Sequence, residues 1–330
     1  MTDSDDGMAE VLAGIEDVLL GSRPRYTRSE AAAAAGIEVA EANRIWNALG
    51  FASVGDDDVA FADSDVAALR QAAGLVELGL VDAGSLRTVT RMVGQSMSRL
   101  ADWQSRLVLE AVANRPQVLG EAGLPEFVAE LVPVLERLHA HVWRRQLAAF
   151  AQRLLSEDGE HSCGLQVVGF ADLAGYTSLS RQLGIAELSV ILEHFETLAA
   201  DLIAEHRARV IKTIGDEVMF AAEDPAAAAA LALELQERVK SEQRLPRLRI
   251  GLARGEVLDR YGDLYGPVVN IASRLTGIAR PGTVLADQEL ADALAGSDRF
   301  HLRRLRSTSV RGYQHLTPYR LRLAAESAQA

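Results

Sequence analysis

Residues 167–177 read VVGFADLAGYT, and residues 210–220 read VIKTIGDEVMF. The apolar run Leu165–Phe170 predicts a buried strand, with Asp172 just beyond its end. In the second stretch, Arg209–Thr213 and Glu217–Ala221 predict two strands joined by a tight turn at Gly215-Asp216. A strand end and a tight hairpin are both rigid platforms for a carboxylate. Two carboxylates meeting at one sheet edge can hold divalent cations such as Mg²⁺ or Mn²⁺ and clamp a phosphate group. Taken singly, each aspartate also reads as a strand terminator or a turn former.

Outward from these two stretches, helix-period patterns cover Ala186–His206, Pro225–Ser241 and Pro267–Ala279. Further strands are expected at Leu248–Ala253, Thr283–Ala286, His301–Leu305 and Tyr319–Leu323. Strands mixed with helices in this way predict an α+β domain whose sheet is covered by helices. The alanine run Ala226–Ala230 is read as good helix former. A third polar constellation lies in residues 263–274, DLYGPVVNIASR. Asn270 and Arg274 are four apart on the expected helix, so they share a face. Arginine presents a planar fork suited to phosphate oxygens, and asparagine both donates and accepts. By itself this segment also fits a helix with a wet face and an aspartate in the loop at residues 261–266.

Together FADLAGYT (170–177), KTIGDEVMF (212–220) and DLYGPVVNIASR (263–274) resemble, in order and spacing, the signature segments of the class III adenylyl and guanylyl cyclases. The likeness covers about half the chain and fills six functional positions. It implies the family's palm-type βαββαβ sheet with covering helices. By the resemblance, Asp172 and Asp216 ligate two divalent cations, Mg²⁺ or Mn²⁺. Lys212 and Asp263 read the adenine base, Asn270 orients the ribose, and Arg274 steadies the α-phosphate. The backbone of Phe170 and Ala171 approaches the phosphates, and Arg311, in SVRGYQ, is a candidate triphosphate contact. The implied reaction converts ATP to 3′,5′-cyclic AMP and pyrophosphate. The family draws the metal aspartates from one subunit and the other four residues from its partner. This chain carries all six, so a homodimer with two equivalent sites is implied. A hairpin of the diguanylate cyclase kind is a rival for IGDEVMF, but it leaves DLYGPVVNIASR unexplained. No GxxxxGK[ST] phosphate loop and no zinc-type cluster is present in the sequence.

The 330-residue length fits two domains, with a boundary in the polar stretch SEDGEHSCG at 156–164. Residues 1–155 read as almost wholly helical, with apolar patterns at Val11–Leu20, Ala40–Leu49, Val66–Leu80, Leu86–Val112 and Phe127–Leu155. Residues 156–330 form the catalytic half. Segments 26–51 and 61–80 weakly resemble a MerR-like helix-turn-helix. Positions 1–150 hold 22 acidic against 13 basic residues, however, and the whole chain carries a net charge of −12, so nucleic acid is disfavoured. The better expectation is an all-α regulatory domain, as in a family of actinobacterial cyclases that the chain resembles. A nucleotide-sensing transcriptional regulator with an inactive cyclase domain is the alternative. His139 and His141, in LERLHAHVWRRQLAAFAQRLL (135–155), are candidates for pH control, because histidine titrates near neutral pH. An acidic N-terminus, no run of eighteen apolar residues and a single cysteine, Cys163, point to a cytoplasmic protein without a membrane span.

Overall fold

The computed structural model describes residues 3–51, 54–119, 123–156, 163–242, 244–260, 262–310 and 312–324. The chain divides into two compact units, Met1–Asp158 and Gly159–Ala330.

The described part of the first unit is helical: α1 (Asp3–Leu20), α2 (Arg28–Ala35), α3 (Val39–Leu49), α4 (Asp63–Glu77), α5 (Ala83–Asn114) and α6 (Leu124–Ser156), with a 3₁₀ turn at Pro116–Leu119. Local chemistry sets the ends of these helices. Thr27 and Glu30 form a capping box ahead of α2, and Gly36 closes it in the left-handed region. Ala31 and Ala32 are fully buried with Ile45, Trp46, Val66 and Leu69 in one small core. There Trp46 stacks on Phe61 at 4.2 Å between ring centroids.

In the second unit the sheet order is β2-β3-β1-β4-β6-β10-β7. Its strands are β1 (Cys163–Leu173), β2 (Arg209–Ile214), β3 (Glu217–Ala222), β4 (Leu248–Arg260), β6 (Thr283–Ala286), β7 (Phe300–Arg304) and β10 (Tyr319–Leu323). The short β5 (Asp263–Tyr265) folds back on β4, and β8 (Thr308–Val310) pairs β9 (Tyr313–Leu316) in a separate hairpin. The helices are α7 (Tyr176–Leu179), α8 (Ile185–Glu205), α9 (Pro225–Ser241), α10 (Pro267–Ile278) and α11 (Gln288–Ala293). The first four strands with α8 and α9 make the expected βαββαβ core. Among the described residues only β4 and β6 pair in parallel.

Strand alternation divides the apolar residues between two faces. Val167, Val218, Phe220, Ile250 and Leu252 pack with Phe195 and Leu202 of α8 and Leu231 and Leu235 of α9. Val168, Phe170, Met219 and Ala253 face the other way, against Val268 and Ala272 of α10. Gly251 is what lets α10 lie so close. A Cβ there would fall 2.4 Å from the Ala272 carbonyl oxygen and from the Thr276 amide nitrogen.

Several strands run beyond their expected limits. β1 extends to Leu173, which places Asp172 inside the strand, and β4 continues to Arg260. The polar second half of β4 is kept in the sheet by pairing with β1 and β5. Asp263 opens β5 and is a strand residue, not a loop residue.

Candidate active site

Asp172 lies on β1 between two neighbours in register, Glu217 on β3 and Arg249 on β4. Arg249 Nε donates to Asp172 Oδ2 at 2.8 Å, and its Nη2 reaches the same oxygen. Asp216 sits in the β2–β3 turn, which Gly215 permits at φ +64°. The Leu173 amide donates to the Asp216 carbonyl at 3.2 Å, holding the turn against the end of β1.

Two carboxylates and Glu217 therefore crowd one sheet edge beside a single guanidinium. Burial pushes the Asp216 carboxyl up, and the charge and hydrogen bond of Asp172 push it further; its own backbone amide and Arg249 oppose them. Burial, followed by the charges of Asp172 and Asp216, pushes Glu217 up to about 7. Such an edge holds more negative charge than its protein surroundings neutralise. No group of three or more His, Cys, Asp or Glu arranged to hold a metal occurs among the described residues. The donor set is instead a pair of carboxylates. That suits a hard cation such as Mg²⁺, which takes one or two carboxylates and draws its other ligands from phosphate and water.

A second group forms where β2 meets the β4–β5 hairpin. Lys212 Nζ lies 2.5 Å from Asp263 Oδ2, both side chains being partly exposed, and the Leu264 amide donates to Asp263 Oδ1 at 2.9 Å. Arg209 adds a second tie, 2.9 Å to Asp259 Oδ2 and 3.2 Å to Gln166 Oε1. The pair thus presents an ammonium from β2 and a carboxylate from the β4–β5 hairpin side by side, with β2 tied to β4 a second time through Arg209 and Asp259.

Asn270 and Arg274 are one turn apart on α10. Asn270 is exposed, while Arg274 Nε is buried with no acceptor. Thr276 Oγ1 fastens α10 to the Phe170 carbonyl at 3.3 Å. Tyr313 Oη reaches the Pro267 carbonyl at 3.3 Å and ties β9 to the start of the helix.

The structure thus brings Asp172 to Asp216 and Lys212 to Asp263, and sets Asn270 beside Arg274. No hydrogen bond or ion pair joins the carboxylate edge to the Lys212–Asp263 pair among the described residues. Arg311 lies outside the described residues. In the first unit, His139 on α6 hydrogen-bonds Gln104 on α5 at 2.7 Å, and His141 is exposed.

Sequence reasoning passed over Arg249 and Glu217. Glu217 follows Asp216 directly, and in the sequence it marks only the start of a strand. Arg249 had one signal: a lone charge between Leu248 and Ile250, whose side chains face α9. That alternation sends Arg249 to the α10 face, where Asp172 is.

Residues 163–322 match the family described as adenylate and guanylate cyclase catalytic domain. An adenylate cyclase of Streptomyces coelicolor is 42% identical over 296 residues, 88% of this chain and 77% of that protein. An adenylate cyclase of Glutamicibacter nicotianae is 36% identical over 335 residues, 96% of this chain and 83% of that protein. A protein of Mycobacterium tuberculosis named as a pH-sensitive adenylate cyclase is 34% identical over 270 residues, 78% of this chain and 67% of its own length.

Proposed function

The chain belongs to the class III adenylate cyclases of the actinobacterial type, and on that premise we propose that it cyclises ATP at a site built from two copies of its second unit. Adenylate cyclase is its activity; the division of labour within the site is our reading. The observation that carries it is the split of the polar residues into two groups, an anionic edge at Asp172 and Asp216 and an ammonium–carboxylate pair at Lys212 and Asp263.

In this reading Asp172 and Asp216 hold two divalent cations, Mg²⁺ or Mn²⁺, which when bound supply a lowered pKa for the attacking hydroxyl and neutralise phosphate charge. Lys212 donates to a ring nitrogen of adenine, and Asp263 accepts from the exocyclic amine. Guanine presents the opposite pattern, so the pair selects ATP. Asn270 orients the ribose, and the buried, partnerless Nε of Arg274 supports a guanidinium aimed at a phosphate. The O3′–Pα bond forms and the bond from Pα to the bridging oxygen breaks. The 3′-hydroxyl proton is lost, and pyrophosphate leaves. Arg274 stabilises charge that moves on the α-phosphate in the transition state. Arg249 steadies Asp172 from the neighbouring strand.

The first unit is assigned the regulatory role. The mycobacterial relative's name supports pH as the signal, and the His139–Gln104 contact between α5 and α6 supports His139 as one place to read it. Replacing His139 and His141 by Gln should flatten the pH–activity curve between about pH 5.5 and 8; an unchanged curve removes both histidines from regulation.

The assignment is tested by cyclic nucleotide formation from ATP and from GTP with Mn²⁺, for the full chain and for Asp216→Asn and Lys212→Ala. The reading requires cyclic AMP from the wild type, none from Asp216→Asn, and a lowered ATP preference in Lys212→Ala. Full activity in Asp216→Asn would end the metal assignment.

A further inference from the structure

We propose that Arg209 is a positioning residue for nucleotide selection: with Asp259 it sets the register between β2 and the β4–β5 hairpin, and so the placement of Lys212 against Asp263. The inference rests on the reading of Lys212 and Asp263 as the pair that recognises adenine.

A regular strand alternates its faces, so residues three apart point to opposite sides. Arg209 and Lys212 are three apart on β2, yet both reach carboxylates on the same hairpin. An irregularity in β2 explains this. Its pairing with β3 shifts register between Val210 and Lys212, which sets Arg209 opposite Ala221 and Lys212 opposite Met219. Ala221 and Met219 are two apart on β3, and both face the core on the α10 side. The extra residue, Ile211, therefore turns both cations to one face. Bulges at sheet edges commonly re-aim a side chain in this way, and β2 is an edge strand.

Sheet pairing does not bring these groups together, because β3 and β1 stand between β2 and β4 in the strand order. The hairpin meets β2 across the α10-side core, where Val257 and Leu264 are buried and Ile211 packs against the same cluster. Apolar contact is non-directional. It holds the two elements together without fixing how far one slides along the other. The charged groups supply that. Asp259 is in register with buried Leu264 and so faces inward from the hairpin, where its Oδ2 meets Arg209 Nη2 at 2.9 Å. The same nitrogen donates to Gln166 Oε1 at 3.2 Å, which aims the guanidinium from β1. The Arg209 and Asp259 side chains are 26% and 31% exposed. An ion pair so open to water adds little stability, so its loss disturbs alignment more than folding. Lys212 and Asp263 recognise a base only while both stand within hydrogen-bonding reach of it, and a misplacement of about 1 Å can cost about 100-fold.

The experiment measures kcat and KM for ATP and for GTP with Mn²⁺ on the full chain. The proteins are wild type, Arg209→Met, Arg209→Lys, Asp259→Leu, the double variant Arg209→Met/Asp259→Leu, and Lys212→Ala. Where GTP turnover is below detection, its inhibition constant against ATP takes the place of its kcat/KM. The proposal requires the preference for ATP to fall about tenfold or more in Arg209→Met and in Asp259→Leu, with KM for ATP rising more than kcat falls. The double variant must be no worse than the poorer single one, because the two groups act as one pair. Arg209→Lys must keep about half of the preference or more, because an ammonium there still meets the carboxylate. Melting curves show which variants are folded, and if Arg209→Met is not, Asp259→Leu decides. An unchanged ATP preference in Arg209→Met, or equal losses of kcat for both nucleotides, overturns the positioning role if Lys212→Ala has lost the preference. A Lys212→Ala protein as selective as wild type overturns the reading of the base pair, and this inference with it.

Discussion

Asp172 touches a residue that no motif announces. Arg249 is the one guanidinium among the described residues hydrogen-bonded to the carboxylate edge, and its removal leaves Asp172, Asp216 and Glu217 to repel one another. Arg249→Ala should lower kcat/KM for ATP by about 100-fold, the cost typical of losing one charged group from a preorganised site; steady-state kinetics on a variant with an unchanged melting curve checks this. A second residue-scale prediction concerns Asp287. It caps α11 by accepting from the Leu290 amide at 2.9 Å and also accepts from the Arg254 amide, yet burial pushes its pKa up to about 6. A carboxyl whose pKa rises on folding binds its proton more tightly in the native state. Its stabilising contribution is therefore complete below about pH 4 and lost as pH rises through about 6. Asp287→Asn keeps an acceptor at the cap and removes the buried charge. It should flatten the stability change across that window by on the order of 2 kcal/mol, measured by urea unfolding at pH 4.5 and pH 7. At this scale the aspartates, the lysine and the α10 pair are legible because spacing and turn chemistry mark them. Arg249 and Asp287 act through partners 77 and 33 residues away, and no local pattern records such distances.

Among the elements, α10 depends most on one small residue. Gly251 lies under it, and any side chain there meets helix backbone at 2.4 Å, where nothing flexible can give way. Gly251→Ala should cost about 3 kcal/mol, the upper end of ordinary overpacking, and should lower cyclase activity by displacing Asn270 and Arg274. Chemical denaturation and ATP kinetics read the two effects, and a variant as stable and active as wild type would show that the helix is not seated by this contact. The alanine run of α9 follows the same logic. Composition identifies it as helix former, but Ala228 and Ala229 are fully buried against the sheet, so their smallness also sets how closely the helix packs. The helices and the β2–β3 hairpin are legible from periodicity and turns. The limits of β1 and β4, and the existence of β5, β8 and β9, are not. Their residues are short or polar stretches, and pairing with neighbouring strands is what fixes them.

For the whole molecule, the polar residues of the second unit form two clusters that no hydrogen bond or ion pair joins among the described residues. The proposed account closes the site by placing the anionic edge of one copy against the Lys212–Asp263 pair and α10 of another. A symmetric pair of identical chains then makes two sites, each drawing on both copies. An assembly of this kind is not written in periodicity or turn chemistry; only the resemblance of the motifs suggests it. The most direct test is complementation. Asp172→Ala and Arg274→Ala chains are assayed separately for cyclic AMP formation from ATP, and then as an equimolar mixture after exchange of subunits. The account predicts two nearly inactive proteins whose mixture recovers about one quarter of wild-type activity, since half of the dimers are mixed and each of these holds one intact site. A mixture no more active than its components would contradict it and place the whole site within a single chain.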